Sequence, residues 1–376
     1  MYNYFSQGGR MNVLNIGFGK AAAELHGNNW RAEGLQQLAY DVNAERLDIS
    51  KKSEKVQAAF AAGQIDLVPT LEELTEAPDI LDIATSSGQH LAGLKEGLSV
   101  YARLDTKPRA VLLEKPVVNP DEMAEFDELL AAWGIEPITV VNENYLASSG
   151  LIQALKIGRR KAEEGIVPEK VFVSFDKDRV PDVLNGRFTD PVLGAYGIEM
   201  PHMVSVANAL AGVSHDEQLH IQKNQYRKNV QGVEHSEATF VQALSPQGVE
   251  IVMAQGLGPF RMDKMGTIHP QDIGKNIFRF ANVAYSDGSL VRVDFAPVEG
   301  APNYHVVVSE FDGDTLVRRS APIEDNSMKQ VIQYVIETAE TGTKPVDAHM
   351  LDVETAKQTV RTLDVLRQTA EVIDEA

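Results

Sequence analysis

Asn12-Val13-Leu14-Asn15-Ile16-Gly17-Phe18-Gly19-Lys20-Ala21-Ala22 decides the fold of this chain. Residues 12–16 read as a strand, the glycines as a tight turn, and the residues after them as a helix reaching about Leu25. The turn fits G-x-G-x-x-G/A. In that pattern the first glycine permits the sharp turn and the second lets backbone approach a pyrophosphate. A small third residue lets helix and strand pack closely. Gly17, Gly19 and Ala22 fill these places. The pattern predicts a dinucleotide held by Gly17, Phe18, Gly19, Lys20 and Ala21, its phosphates at the N-terminus of the helix.

Working outward, residues 35–40 form a second apolar run that ends in Asp41. A carboxylate about twenty residues beyond the glycines takes the adenosine ribose hydroxyls and repels a 2′-phosphate. NAD is therefore expected in preference to NADP; the alternative is that Asp41 only caps the turn into Val42-Asn43. Further apolar runs at 80–84, 110–113 and 137–141 alternate with helical patterns at 71–74, 89–97 and 120–133. The last of these has Asn119 as N-cap and Pro120 at the first helical position. Such alternation predicts a parallel sheet of βαβ units over 11–143. The run at 110–113 closes in Glu114-Lys115-Pro116. Charged groups are rarely buried without a partner, and open α/β sheets bind ligands at the carboxyl ends of their strands. Glu114 and Lys115 are thus site candidates, or an ion pair that steadies a turn.

Beyond about Tyr145 the texture changes. Helical stretches at 149–165 and 194–212 flank a strand at 171–175. Long alternating runs follow at 238–244, 249–255, 277–284, 289–295 and 304–311, with turns at Pro246-Gln247-Gly248 and Asp287-Gly288. The expectation is an α+β domain over 144–350 with a large, open, mainly antiparallel sheet, closed by a helix within 351–376. Val291, Val293 and Phe295 read as alternate apolar residues on its exposed face. Residues 1–10 read as an N-terminal arm.

Composition bounds the function. The 376 residues suffice for two domains, and 43% hydrophobic with 24% charged residues is ordinary for a globular protein. A formal net charge of −19 makes nucleic acid and anionic membranes poor partners. The chain has no cysteine, which removes disulfides, thiolate metal sites and cysteine nucleophiles. Neither a membrane-length apolar run nor the apolar core of a signal peptide is visible, so a cytoplasmic protein is expected. No metal is expected. The histidines are scattered, and Glu199-Met200-Pro201-His202 lacks the second pair that a carboxylate–histidine metal site needs.

With these residues in place, the chain resembles the Gfo/Idh/MocA family of oxidoreductases, related to glucose-fructose oxidoreductase and inositol dehydrogenase. The likeness runs through the glycine turn, Asp41, Asp82-Ile83-Ala84-Thr85 with His90, Glu114-Lys115-Pro116, Asn144-Tyr145, and His202 ten residues before Gly212. It implies a Rossmann domain followed by an open-sheet domain. It also implies hydride transfer between NAD(P) and a secondary alcohol or ketone of a sugar, amino sugar or cyclitol. Lys115 and His202 would be catalytic, the first as cation or proton relay, the second as base. Thr85, Ser86, His90, Glu114, Lys115 and Asn144 would join the cofactor site, with capping the alternative for His90. Tyr145, Asn185, Arg187 and Glu199 would join Lys115 and His202 around the substrate, Asp190 being a further candidate. Pairing through the open sheet would give a homodimer or homotetramer.

The sequence departs from the family where an Asp is usual before and after the histidine; Ile198 and Ser205 stand there. Glu199 is the expected substitute to orient His202, and Met200-Pro201 sets a helix start or kink. Residues 99–109 read as a charged surface excursion. The alternatives are a non-catalytic dinucleotide- and sugar-binding regulator of the same fold, or a reductase of an imine or keto compound.

Overall fold

A computed structural model describes residues 11–184, 192–270, 277–295 and 297–375. The chain forms two compact units, Met1–Asn142 with Met328–Val353, and Glu143–Ser327 with Glu354–Ala376. The first unit thus takes in a late segment, 328–353, from the stretch read as sheet domain.

In the first unit, strands β1 (Asn12–Ile16), β2 (Gln36–Tyr40), β3 (Ile65–Leu67), β4 (Ile80–Ile83), β5 (Ala110–Leu113) and β6 (Thr139–Val141) form one parallel sheet in the order β3-β2-β1-β4-β5-β6. All four residues of β4 and of β5 are buried, as strands covered on both faces require. The helix after the glycine turn runs past Leu25. It opens as a π turn over Ala21–His26 and continues as an α-helix over Gly27–Ala32. The helix Met123–Trp133 is entered through the Asn119–Glu122 capping box and left through Gly134 in the left-handed region.

The expected excursion at 99–109 is largely helix instead. Leu91, Leu94, Leu98 and Tyr101 repeat at helical spacing and are buried, which carries the helix His90–Arg103 through it.

The second unit is built on β7 (Pro168–Lys177), β8 (His220–Lys228), β9 (Glu237–Leu244), β10 (Glu250–Leu257), β11 (Phe260–Met262), β12 (Ile268–Pro270), β13 (Ile277–Tyr285), β14 (Ser289–Asp294), β15 (His305–Asp312), β16 (Thr315–Arg319), β17 (Ile323–Glu324) and β18 (Glu371–Asp374). The large sheet has the order β16-β15-β14-β13-β7-β10-β9-β8-β18, with β17 on β15. Its pairings are antiparallel except β7–β10 and β8–β18. Helices Ser149–Glu163 and Met200–Ala211 cover one face.

Val291, Val293 and Phe295 belong to that covered face, each only 1% exposed, so the expectation that they lie open is corrected. Gly150 explains how closely the helix sits: a Cβ there would come within 2.8 Å of Val306 and 3.0 Å of Val293. On the opposite face Phe172, Phe240, Val252, Ala254 and Phe280 pack under Phe260 and Met262 of the β11–β12 hairpin. Arg292 lies 4.1 Å above the Phe280 ring and Lys223 5.2 Å above Phe240. Those cations gave the strands their polar alternation; the apolar surface beneath is already covered.

Candidate functional site

The glycine turn joins β1 to the π turn. Gly17 has φ +91°, and a Cβ on it would lie 2.9 Å from Thr85 N and 3.0 Å from Ala84 O. Only glycine fits that approach. Gly19 differs: a Cβ there would meet no atom within 4 Å. Its bare backbone faces open space, the cradle that a close-lying pyrophosphate requires. Phe18 is fully buried with Ala22, Ala23, Ala39 and Val56, so its ring packs into the unit and faces no ligand. Lys20 is exposed and Ala21 partly so.

Asp41 ends β2 where expected, but its carboxylate is turned inward. Oδ2 accepts from Phe18 N at 2.8 Å and Oδ1 from Asn43 N at 2.9 Å, and the residue is 5% exposed. Two cations stand beside it. Arg46 Nη1 lies 3.5 Å from Asp41 Oδ2, and Lys52 Nζ donates to Phe18 O at 2.6 Å while lying 4.7 Å above the Phe18 ring. Burial lowers the Lys52 ammonium from its ordinary value, with Asp41 opposing.

At the carboxyl end of β5, Glu114 points back into the unit. Its Oε1 lies 2.7 Å from His26 Nε2 and accepts from Asn142 Nδ2 at 2.5 Å; its Oε2 accepts from Lys115 N at 3.2 Å. Burial opposes its charge, but the His26 hydrogen bond and charge outweigh it and hold the carboxyl down at about 2. Lys115 is half-buried, and its bond to Pro116 is cis. His90 is buried as a brace, with Nδ1 2.6 Å from Pro116 O and Nε2 3.2 Å from Thr85 O. Burial lowers its pKa, with the Pro116 and Thr85 carbonyls opposing. Ser86 Oγ donates to Gln89 at the head of the next helix.

In the second unit His202 lies in the first turn of the helix Met200–Ala211, with Pro201 in the position a helix start tolerates. Its partner is Glu143, whose Oε2 is 3.0 Å from His202 Nδ1; Glu143 is 2% exposed and His202 8%. The Tyr145 ring lies 4.8 Å from the imidazole and 4.8 Å from Phe175. Burial pushes the Tyr145 phenol up to about 12. Glu199 does not orient His202. It precedes the helix and is bound instead by Arg179 Nη2 at 2.7 Å and by Arg279 Nη2 at 3.0 and 3.1 Å. Arg279 also lies 5.7 Å above the Tyr145 ring, which fixes one side of the tyrosine. Lys177 closes β7 nearby; burial, with Arg179 beside it, holds it down at about 8. Ser205 is turned away, donating to Pro201 O and meeting Thr359.

The structure therefore brings together Gly17, Gly19 and Asp41 around one turn, Glu114 and Lys115 with His26, and Tyr145 with His202. Asn144 donates to Ser327 at 3.2 Å. Asn185, Arg187 and Asp190, like the arm 1–10, lie outside the described residues. Glu143, His26, Arg46, Lys52, Arg179 and Arg279 were not singled out from the sequence, although Glu143 immediately precedes the flagged Asn144-Tyr145. Among the described residues, no group of three or more His, Asp or Glu side chains is gathered as a metal site. Nor is any described helix long and apolar enough to cross a membrane.

No protein-family model matches the sequence, and no curated protein matches it. The fold does recur among solved structures. KijD10, a 3-ketoreductase from Actinomadura kijaniata in complex with NADP and TDP-benzene, is similar with a TM-score of 0.70 at 14% identity, over 98% of this chain and 100% of that one. GenD2 from gentamicin A biosynthesis, in complex with NAD, gives 0.63 at 14% identity, over 94% and 92% of the two chains. At these identities the likeness is one of fold, an α/β chain with a parallel six-stranded sheet and a separate large mixed sheet.

Proposed function

We propose that this protein is an NAD(P)-dependent oxidoreductase of the Gfo/Idh/MocA type, acting on a secondary alcohol or ketone of a sugar, amino sugar or cyclitol. The observation that carries the reading is the Glu143–His202 pair. A carboxylate on Nδ1 favours the tautomer with its proton there, and in that tautomer Nε2 is the basic nitrogen, the one suited to taking or returning a hydroxyl proton.

The residues of the first unit suit a nicotinamide dinucleotide. The Gly17–Ala21 backbone and the open space at Gly19 suit the pyrophosphate, and Arg46 and Lys52 suit the adenosine end. When bound, that group supplies or accepts the hydride. In alcohol oxidation His202 Nε2 takes the hydroxyl proton; in reduction it returns it. Lys115 stabilises the negative charge that grows on the reacting oxygen. We assign Tyr145, with Arg279 above its ring, to the substrate side.

The preference for NAD over NADP is weakened, because each Asp41 oxygen already accepts one backbone N–H, which turns the carboxylate inward and leaves it fewer lone pairs for ribose hydroxyls. Arg46 and Lys52 instead offer charge to a 2′-phosphate, and we assign NADP(H) at least equal standing. The fold shared with a 3-ketoreductase makes carbonyl reduction the first direction to assay. The test follows nicotinamide absorbance with both cofactors against keto-sugars, sugars, amino sugars and cyclitols. Turnover strongly reduced, to a measurable residue, by His202→Ala and by Lys115→Ala supports the reading. Tight cofactor binding with no turnover in either direction sinks it in favour of a sensor.

A further inference from the structure

His26 sits at the end of the π turn and is completely buried. Its Nδ1 lies 3.0 Å from both carboxylate oxygens of Asp82, and its Nε2 2.7 Å from Glu114 Oε1. Trp30 Nε1 and Asn15 Nδ2 donate to Asp82 Oδ2 at 2.9 and 2.5 Å, while Asn142 Nδ2 donates to Glu114. One side chain therefore joins the helix that follows the glycine turn to the end of β4 and to the turn that carries Lys115. Burial works against a charge on the ring, but Asp82 and Glu114 outweigh it and push the imidazole up to about 10.

Stability alone is a poor reason for such a cluster. Buried charges are costly to desolvate, and apolar residues of similar volume often serve a core as well or better. The polar groups here converge on Glu114, whose second oxygen accepts the Lys115 backbone N–H. From the other side, His90 holds Pro116 O. The turn is clamped at the residue before Lys115 and at the residue after it.

We propose that His26 is a positioning residue for Lys115: by pinning Glu114 against Asp82 it fixes the turn from which Lys115 acts and ties that turn to the phosphate-facing glycines. The proposal rests on the role given to Lys115 above. The charged groups that face the ring are Asp82 and Glu114, with Lys115 next to the latter.

The kinetic test is a double-mutant cycle on the full chain, with each variant assayed well below its own melting temperature. His26→Gln should lower kcat about tenfold with KM for the nicotinamide cofactor within about threefold, but cost less than about twofold in a Lys115→Ala background. Equal losses in both backgrounds would show that His26 does not act through Lys115.

A second arm needs no substrate. The acetylation rate of Lys115 by acetic anhydride, read by peptide mass spectrometry, should change by about threefold or more in His26→Gln, while exposed Lys51 stays constant. Asn142→Ala loosens Glu114 without removing the imidazole and should move Lys115 in the same direction, which covers failure of His26→Gln to fold. Unchanged Lys115 reactivity in the folded variants would overturn the proposal. Absent turnover with a changed Lys115 would instead count against the enzymatic reading alone.

Discussion

Glu143 Oε2 and His202 Nδ1 stand 3.0 Å apart although 59 residues separate them in sequence. Both are buried, so the carboxylate gives the imidazole one orientation and one tautomer. Glu143→Gln retains the size and a hydrogen-bonding group but removes the charge and can donate to Nδ1, reversing the tautomer. We expect kcat to fall by about a hundredfold or more with a small change in substrate KM. A steady-state comparison decides it; a variant with wild-type kcat would leave His202 without the base role assigned to it.

The two glycines of the turn should fail differently. Gly17→Ala places a Cβ against the Ala84–Thr85 backbone at positive φ, so it should destabilise the fold by about 1–3 kcal/mol. Gly19→Ala meets nothing in the protein and should leave the melting temperature nearly unchanged. It should nevertheless weaken dinucleotide binding about tenfold, because the added methyl occupies the cradle. Thermal melts beside fluorescence titrations with NADH and NADPH separate the outcomes. Undiminished binding by Gly19→Ala would remove the pyrophosphate from this turn.

Arg46 and Lys52 bear on cofactor choice. Arg46→Ala removes an exposed cation beside Asp41, and Lys52→Met removes one braced over Phe18. Each should weaken NADPH by roughly three- to tenfold and NADH by less than about twofold, the difference being charge on a 2′-phosphate. Parallel loss of both cofactors would mean that these cations only steady the turn.

What the sequence disclosed follows from how local each signal is. The glycine turn, the capped helix after Asn119 and the alternation of the second half are carried by neighbouring residues, and all appear in the structure. Asp41 had the right spacing, yet spacing cannot tell that Phe18 N–H claims its carboxylate. Alternation showed that β14 has two faces but not which one the helix Ser149–Glu163 covers. Glu199 has the right spacing to orient His202, yet spacing cannot tell that Arg179 and Arg279 claim its carboxylate. His26 was hidden twice. A π turn shifts the faces that α-helical spacing predicts, and its partners lie 56 and 88 residues away.

Two buried groups predict how stability depends on pH, in windows that overlap but differ. Burial raises the Asp176 carboxyl from 3.8 to about 8, so folded protein keeps a proton that unfolded chain releases. Its contribution is fully present below about pH 3.8 and is lost as pH rises to about 8. His26, raised from 6.5 to about 10, contributes fully below pH 6.5 and loses that contribution as pH rises through about 10. Each proton gives a slope of at most about 1.4 kcal/mol per pH unit within its window. In urea melts, Asp176→Asn should flatten the wild-type decline between about pH 4 and pH 8 and leave the stretch from 8 to 10 intact. His26→Gln should flatten the decline from about 6.5 to 10 and leave the lower stretch intact. The interval from 8 to 10 is the discriminating one, because only His26 of the pair titrates there. An undiminished slope in His26→Gln over that interval would mean that the ring is not held as an imidazolium between Asp82 and Glu114.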